Sequence, residues 1–63
     1  MNATSTGKIL GILASVISLF NLNAVQSNKL NSYVKANMYE WVEKRKTDSE
    51  VEAMIKAEAR TLN

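Results

Sequence analysis

Three residue types are absent from this chain of 63 residues: cysteine, histidine and proline. Without cysteine there is no disulfide, and without cysteine and histidine the usual zinc ligands are missing. Carboxylates are present, but they lack the regular spacing of a calcium-binding loop. We therefore expect no metal and no other cofactor. The lack of proline, with only two glycines, leaves nothing that forbids helix from Ile12 onward.

The side-chain combinations that support enzymatic catalysis are also missing. No Cys–His or Ser–His pair can form, no serine lies in a nucleophile-elbow motif, and there is no glycine-rich phosphate loop. Glu40 and Glu43 are expected to be neighbours on a helix surface, not a buried acid pair. We expect neither an enzyme nor a binder of small-molecule substrates.

The charge is small and mixed in sign. The formal net charge is +2, and basic residues alternate with acidic ones beyond Glu40. A nucleic-acid-binding protein has a one-sided basic surface, so no nucleic-acid partner is expected.

A chain this short buries only about 60% of its unfolded surface, which makes oligomerisation, a partner or a bilayer the expected source of further stability.

The strongest positive feature is an apolar run from Ile9 to Phe20, followed by an uncharged stretch that continues to Asn28. Counted to Val25, this run has 17 residues. As a helix it would measure about 25 Å, the lower limit for a bilayer core about 30 Å thick. The pattern predicts a membrane-embedded helix over residues 9–25, preceded by a polar tail over residues 1–8.

Two other interpretations of this segment stay open. It is typical of a signal peptide with Lys8 before the apolar region and a cleavage site after Ala24, although Leu22 is large for the third position before that site. An apolar stretch of about 10–14 residues also fits a helix buried in a soluble oligomer.

Small residues recur every fourth position along the apolar segment. Gly7, Gly11 and Ser15 fall on one helix face, and Ser18 continues that face. Small residues at this spacing allow two helix backbones to approach closely, so we predict a helix-packing face that supports self-association. The alternative is that glycine and serine are simply common in membrane helices.

The second half of the chain is amphipathic, with predicted helices over residues 28–46 and 48–62. Apolar residues recur in each at a spacing near 3.6, which predicts one apolar face per helix. Each face is expected to pack on the other, on another copy or on a membrane. These residues are Leu30, Val34, Met38, Trp41, Val51, Ile55 and Leu62.

A helix boundary is predicted between these two segments. The basic residues Lys44, Arg45 and Lys46 suit a helix end, and Thr47 with Glu50 forms the capping-box pattern of a helix start. One continuous helix is the alternative. The basic triplet is expected either to be solvated or to contact lipid headgroups.

The sequence therefore predicts an all-α protein with an N-terminal hydrophobic, membrane-embedded helix followed by one or two amphipathic helices. The expected function is that of a small non-enzymatic structural or accessory membrane protein that self-associates or packs into a membrane complex, coat or filament. Lys29 and Lys35 after the single span favour a cytoplasmic C-terminus. The alternatives are a soluble helical interaction module whose apolar helix is buried by partners, and a secreted membrane-active peptide.

Overall fold

The computed structural model describes residues 2–62, so the first residue of the predicted tail and the last residue of the chain lie outside the described part. Three helices, α1 (Thr6–Leu19), α2 (Ala24–Glu43) and α3 (Asp48–Arg60), form a bundle of 31 × 19 × 18 Å. The all-α prediction is confirmed.

The direction of the helices follows from contacts at the two ends of the bundle. At one end the segment before α1 crosses to the segment before α3, where the Thr4 backbone N–H donates to the Lys46 carbonyl at 2.7 Å. At the other end the Arg60 guanidinium lies 5.9 Å from the centre of the Phe20 ring. Helices α1 and α3 therefore run in the same direction, and α2 runs against both.

The first helix is shorter than the predicted segment 9–25. The Ser5 hydroxyl caps its start by accepting from the Lys8 backbone N–H at 3.3 Å. The helix ends at Leu19, because Asn21 adopts the left-handed conformation (φ 52°) that asparagine tolerates better than most residues. At 14 residues, α1 is about 21 Å long.

The boundary between α1 and α2 lies earlier than expected. The N-cap of α2 is Asn23, whereas the predicted helix began at residue 28. The Asn23 side chain accepts from the Gln26 backbone N–H at 2.8 Å, and the Gln26 side chain accepts from the Asn23 backbone N–H in return. In residues 2–62, no helix has both the length and the apolar character needed to cross a membrane. The prediction of a membrane-embedded N-terminal helix is therefore not supported.

The predicted boundary before α3 is confirmed. Helix α2 ends at Glu43, and Arg45 has a left-handed backbone (φ 56°). The Thr47 hydroxyl accepts from the Glu50 backbone N–H at 3.2 Å, while the Glu50 carboxylate accepts from the Thr47 backbone N–H at 3.3 Å. The alternative of one continuous helix is wrong.

The core lies between the three helices, and each helix contributes three buried apolar residues. Most of the predicted amphipathic face belongs to this core, while Met38 and Leu62 are partly buried against it. Of the packing partners that the sequence left open, the structure has these residues pack on each other and on α1. The buried residues are Ile9, Leu13, Val16, Leu30, Val34, Trp41, Val51, Ile55 and Ala59.

Candidate interaction surface

The helix face that α1 turns away from the core is exposed and carries no charge after Lys8, which lies in its first turn. The Leu10 side chain is 46% exposed and that of Leu19 is 68% exposed. Between Lys8 and Lys29 the sequence contains no charged residue. We call this surface the outer face of α1; its exposed residues are Gly7, Lys8, Leu10, Gly11, Ala14, Ser15, Ser18 and Leu19.

All four residues of the predicted helix-packing face lie on the outer face of α1, and all four are exposed. A Cβ atom added at Gly7 or Gly11 would meet nothing within 4 Å, and neither glycine has a positive φ. The bundle itself therefore does not require glycine at either position. Glycine within a helix is nevertheless destabilising by roughly 0.5–1 kcal/mol relative to alanine.

An open groove of about 580 Å³ runs between α1 and α3. On the α1 side its wall is low, because Gly11 and Ser15 occupy two successive turns before Leu19. On the α3 side the wall consists of Asp48, Glu52 and Lys56, which also lie one helical turn apart. Lys8, Ile12 and Val16 complete the lining.

The charges that line this α1–α3 groove are paired with each other. The Lys8 Nζ lies 3.6 Å from the Asp48 Oδ2, and the Lys56 Nζ lies 2.8 Å from the Glu52 Oε2. The remaining oxygen of Asp48, Oδ1, is buried and has no hydrogen-bond partner among the described residues. With two cations and two anions, the groove has no net charge, and these exposed pairs contribute little to stability.

The basic triplet lies elsewhere and is also largely paired. The Lys44 Nζ is 3.6 Å from the Glu40 Oε1, and the Lys46 Nζ is 3.6 Å from the Glu50 Oε2. Arg45 is exposed in the turn between α2 and α3. Contact of this triplet with lipid headgroups remains a prediction, and the two ion pairs reduce the positive charge that would drive it.

Two shifted pKa values have structural causes. Hydrogen bonds from the Thr47 backbone and side chain, followed by the charge of Lys46, lower the pKa of Glu50. Burial raises the pKa of Tyr33, and the negative charge of Glu58 adds to that effect. Neither residue lines the groove, so these shifts reflect a helix cap and core packing.

Within residues 2–62, no group of three or more potential ligand side chains is arranged to hold a metal ion. Comparison with models of known protein families, with curated proteins and with solved structures finds no match.

Sequence reasoning anticipated one wall of the groove and missed the other. The spacing of Gly7, Gly11 and Ser15 marks a face of α1 without reference to any other helix. The opposite wall, Asp48, Glu52 and Lys56, has a visible i, i+4, i+8 spacing in the sequence. That spacing does not indicate which helix lies beside it, because this depends on how the bundle closes.

Proposed function

We propose that this protein is a small non-enzymatic structural subunit that works by protein–protein contact through the outer face of α1. The observation that carries the proposal is an exposed helix face that has no charged side chain after Lys8, in its first turn, and that includes Leu10 and Leu19. Exposed surfaces of this kind, bordered by polar residues, are typical of interaction sites.

Helices α2 and α3 differ from α1 in that they expose charged side chains along their length. The exposed positions of α2 include Lys29, Lys35 and Glu40, and those of α3 include Glu52 and Arg60. Such residues favour contact with water. The apolar character of α1 beyond its core-facing side is therefore not a general property of the bundle.

A protein partner accounts for the outer face better than a bilayer does. The predicted role as a membrane subunit depends on a helix over residues 9–25, whereas α1 ends at Leu19 and its inner side packs in the core. Helices that lie in the headgroup region usually insert bulky apolar side chains and carry basic ones on the opposite face. The outer face of α1 is formed largely by glycine, alanine and serine, which suit close contact with another helix.

A pair of matched arginine substitutions tests the proposal. Ala14 lies in the middle of the outer face, and Ser32 is an exposed position within α2. Because arginine is a good helix former, both Ala14→Arg and Ser32→Arg should fold. In the organism that makes this protein, Ala14→Arg should shift the tagged chain from a larger native complex to its own mass, as measured by native electrophoresis. Ser32→Arg should leave the complex intact.

The outcome that would contradict the proposal is an equal effect of the two variants. If both preserve the complex, contact occurs through another surface. If both destroy it, the loss reflects added charge rather than the outer face of α1.

A further inference from the structure

We infer that residues 2–5 form a clasp over the start of α3, held closed by a hydrogen bond between the Thr4 hydroxyl and the Asp48 carboxylate, made directly or through one bound water. The clasp is a conformational device, because it opens while the bundle stays folded. This inference goes beyond the proposed function and does not depend on it, since it involves no partner.

The segment before α1 pairs with the segment before α3 as two antiparallel strands do. Ala3 and Thr47 form an antiparallel bridge. The Thr4 backbone N–H donates to the Lys46 carbonyl at 2.7 Å, and Thr47 has an extended backbone (φ −82°, ψ 162°). In this register Thr4 lies opposite Lys46, and Asp48 comes two residues later. Thr4 and Asp48 are therefore diagonal neighbours on the same side of the pair, with Cβ atoms roughly 7–8 Å apart or somewhat closer.

Two buried polar atoms belong to these diagonal neighbours. Thr4 Oγ1 and Asp48 Oδ1 are both buried, and neither has a hydrogen-bond partner among the described residues. Thr4 is 5% exposed, and within residues 2–62 no other polar residue is buried. A hydroxyl can donate and a carboxylate oxygen accepts, so each atom supplies what the other lacks. Leaving both unpaired would disfavour the folded state, whereas one hydrogen bond or one bridging water satisfies both.

Apart from this pair, few contacts hold the clasp on α3. Asn2, Ala3 and Ser5 are exposed. The Lys8 Nζ lies 3.6 Å from the Asp48 Oδ2, but both side chains are about half exposed, so this ion pair contributes little. Segments with few buried contacts open locally at a lower free energy than the core. The Thr4–Asp48 pair therefore decides how often the clasp is closed.

The first experiment is a double-mutant cycle on the unfolding equilibrium constant of the full chain, measured by urea denaturation. Thr4→Val removes the hydroxyl and keeps the shape of the side chain. It should raise the unfolding constant by about fivefold or more, because Asp48 Oδ1 is left buried and unpaired. In Asp48→Ala the acceptor is already absent, so adding Thr4→Val should have little further effect. The control is Thr6→Val, the same change at an exposed position of α1, with an expected effect of about twofold or less.

The second experiment measures amide exchange in the folded chain and tests the opening of the clasp. The Thr4 N–H should exchange faster than the Ile55 N–H in the core of α3, and low concentrations of urea should accelerate it less. Asp48→Ala should speed exchange at Thr4 by about fivefold or more. Lys8→Gln removes only the ion pair, so it should change this rate by about twofold or less.

The sign of the Thr4→Val effect decides the inference even if Asp48→Ala does not fold. An unfolding constant that is unchanged or lower would show that the hydroxyl is buried without a partner, and the inference would be wrong. An equal effect of Thr4→Val with and without Asp48→Ala would assign the hydroxyl to another acceptor and would also overturn it. Exchange at Thr4 that matches Ile55 in rate and in urea dependence would mean that the clasp opens only when the bundle unfolds, which contradicts its role as a conformational device.

Discussion

Helices α1 and α3 are close in length and lie side by side in the same direction, yet they differ in the residues that they expose to solvent. Each buries three apolar residues at helical spacing: Ile9, Leu13 and Val16 in α1, and Val51, Ile55 and Ala59 in α3. The exposed side of α3 is charged, whereas the exposed side of α1 carries no charge after Lys8.

This comparison distinguishes two sides of the apolar segment in α1. The side that faces the core packs there in the same way as the core-facing side of α3, and it contributes to the fold. The apolar run in the sequence looks longer and more continuous than a core helix because the outer face of α1 is also uncharged after Lys8. The residues beyond the requirements of the core are the ones that suggest contact with another protein.

The largest expected effect comes from substitutions of core residues, which test whether α1 and α3 contribute equally to the stability of the bundle. Ile9 and Ile55 are both fully buried. Ile9→Ala and Ile55→Ala should each lower the free energy of unfolding by about 2–5 kcal/mol, because each removes buried methyl groups and leaves a cavity. Urea denaturation measured by circular dichroism gives these values. At the usual value of about 0.05–0.15 kcal/mol per residue, a chain of 63 residues has a total stability of about 3–9 kcal/mol, so each substitution should remove a large part of it.

Leu19→Ala is the control for that experiment, since the Leu19 side chain is 68% exposed. This substitution should change the free energy of unfolding by no more than about 0.5 kcal/mol. A small effect of Ile9→Ala together with a large effect of Ile55→Ala would mean that α1 is not packed in the core in solution. That result would return support to a role for α1 within a bilayer.

The helix boundaries show which parts of the fold are readable from the sequence. The start of α3 was predicted because its signal is local: Thr47 and Glu50 cap the helix through hydrogen bonds between residues three apart. The start of α2 uses the same chemistry at Asn23 and Gln26. It was missed because Asn23 falls within residues 9–25, which were predicted to form one apolar helix.

The candidate interaction surface was also predictable from the sequence only in part. The small residues of α1 are visible as a pattern, and the structure places them in solvent. The groove beside them was not predictable, because it depends on α3 lying parallel to α1 with Glu52 and Lys56 at its edge. That arrangement follows from the packing of all three helices, which no single segment encodes.

An intermediate effect is expected from the different caps of the two helices. Helix α3 begins with a reciprocal capping box, whereas α1 has one hydrogen bond from the Lys8 backbone N–H to the Ser5 hydroxyl, at 3.3 Å. Thr47→Ala should therefore cost about 1 kcal/mol of stability, and Ser5→Ala about half as much. Amide exchange at Ser49–Val51 should become faster in Thr47→Ala. Equal costs for the two substitutions would show that the reciprocal bond adds nothing to α3.

The smallest effect is a pH dependence that α3 has at its first turn and α1 lacks. The first turn of α1 has no acidic residue, while Glu50 in α3 accepts hydrogen bonds from Thr47 that lower its pKa. A carboxyl group with a lower pKa in the folded state stabilises that state above its unfolded pKa, about 4.3 for glutamate. This stabilisation is lost as the pH falls through the folded pKa.

An NMR titration of the Glu50 carboxyl should therefore have its midpoint below about 4.3, and Thr47→Ala should move the midpoint upward. An unshifted midpoint in the native chain would show that the cap does not favour the ionised form of Glu50.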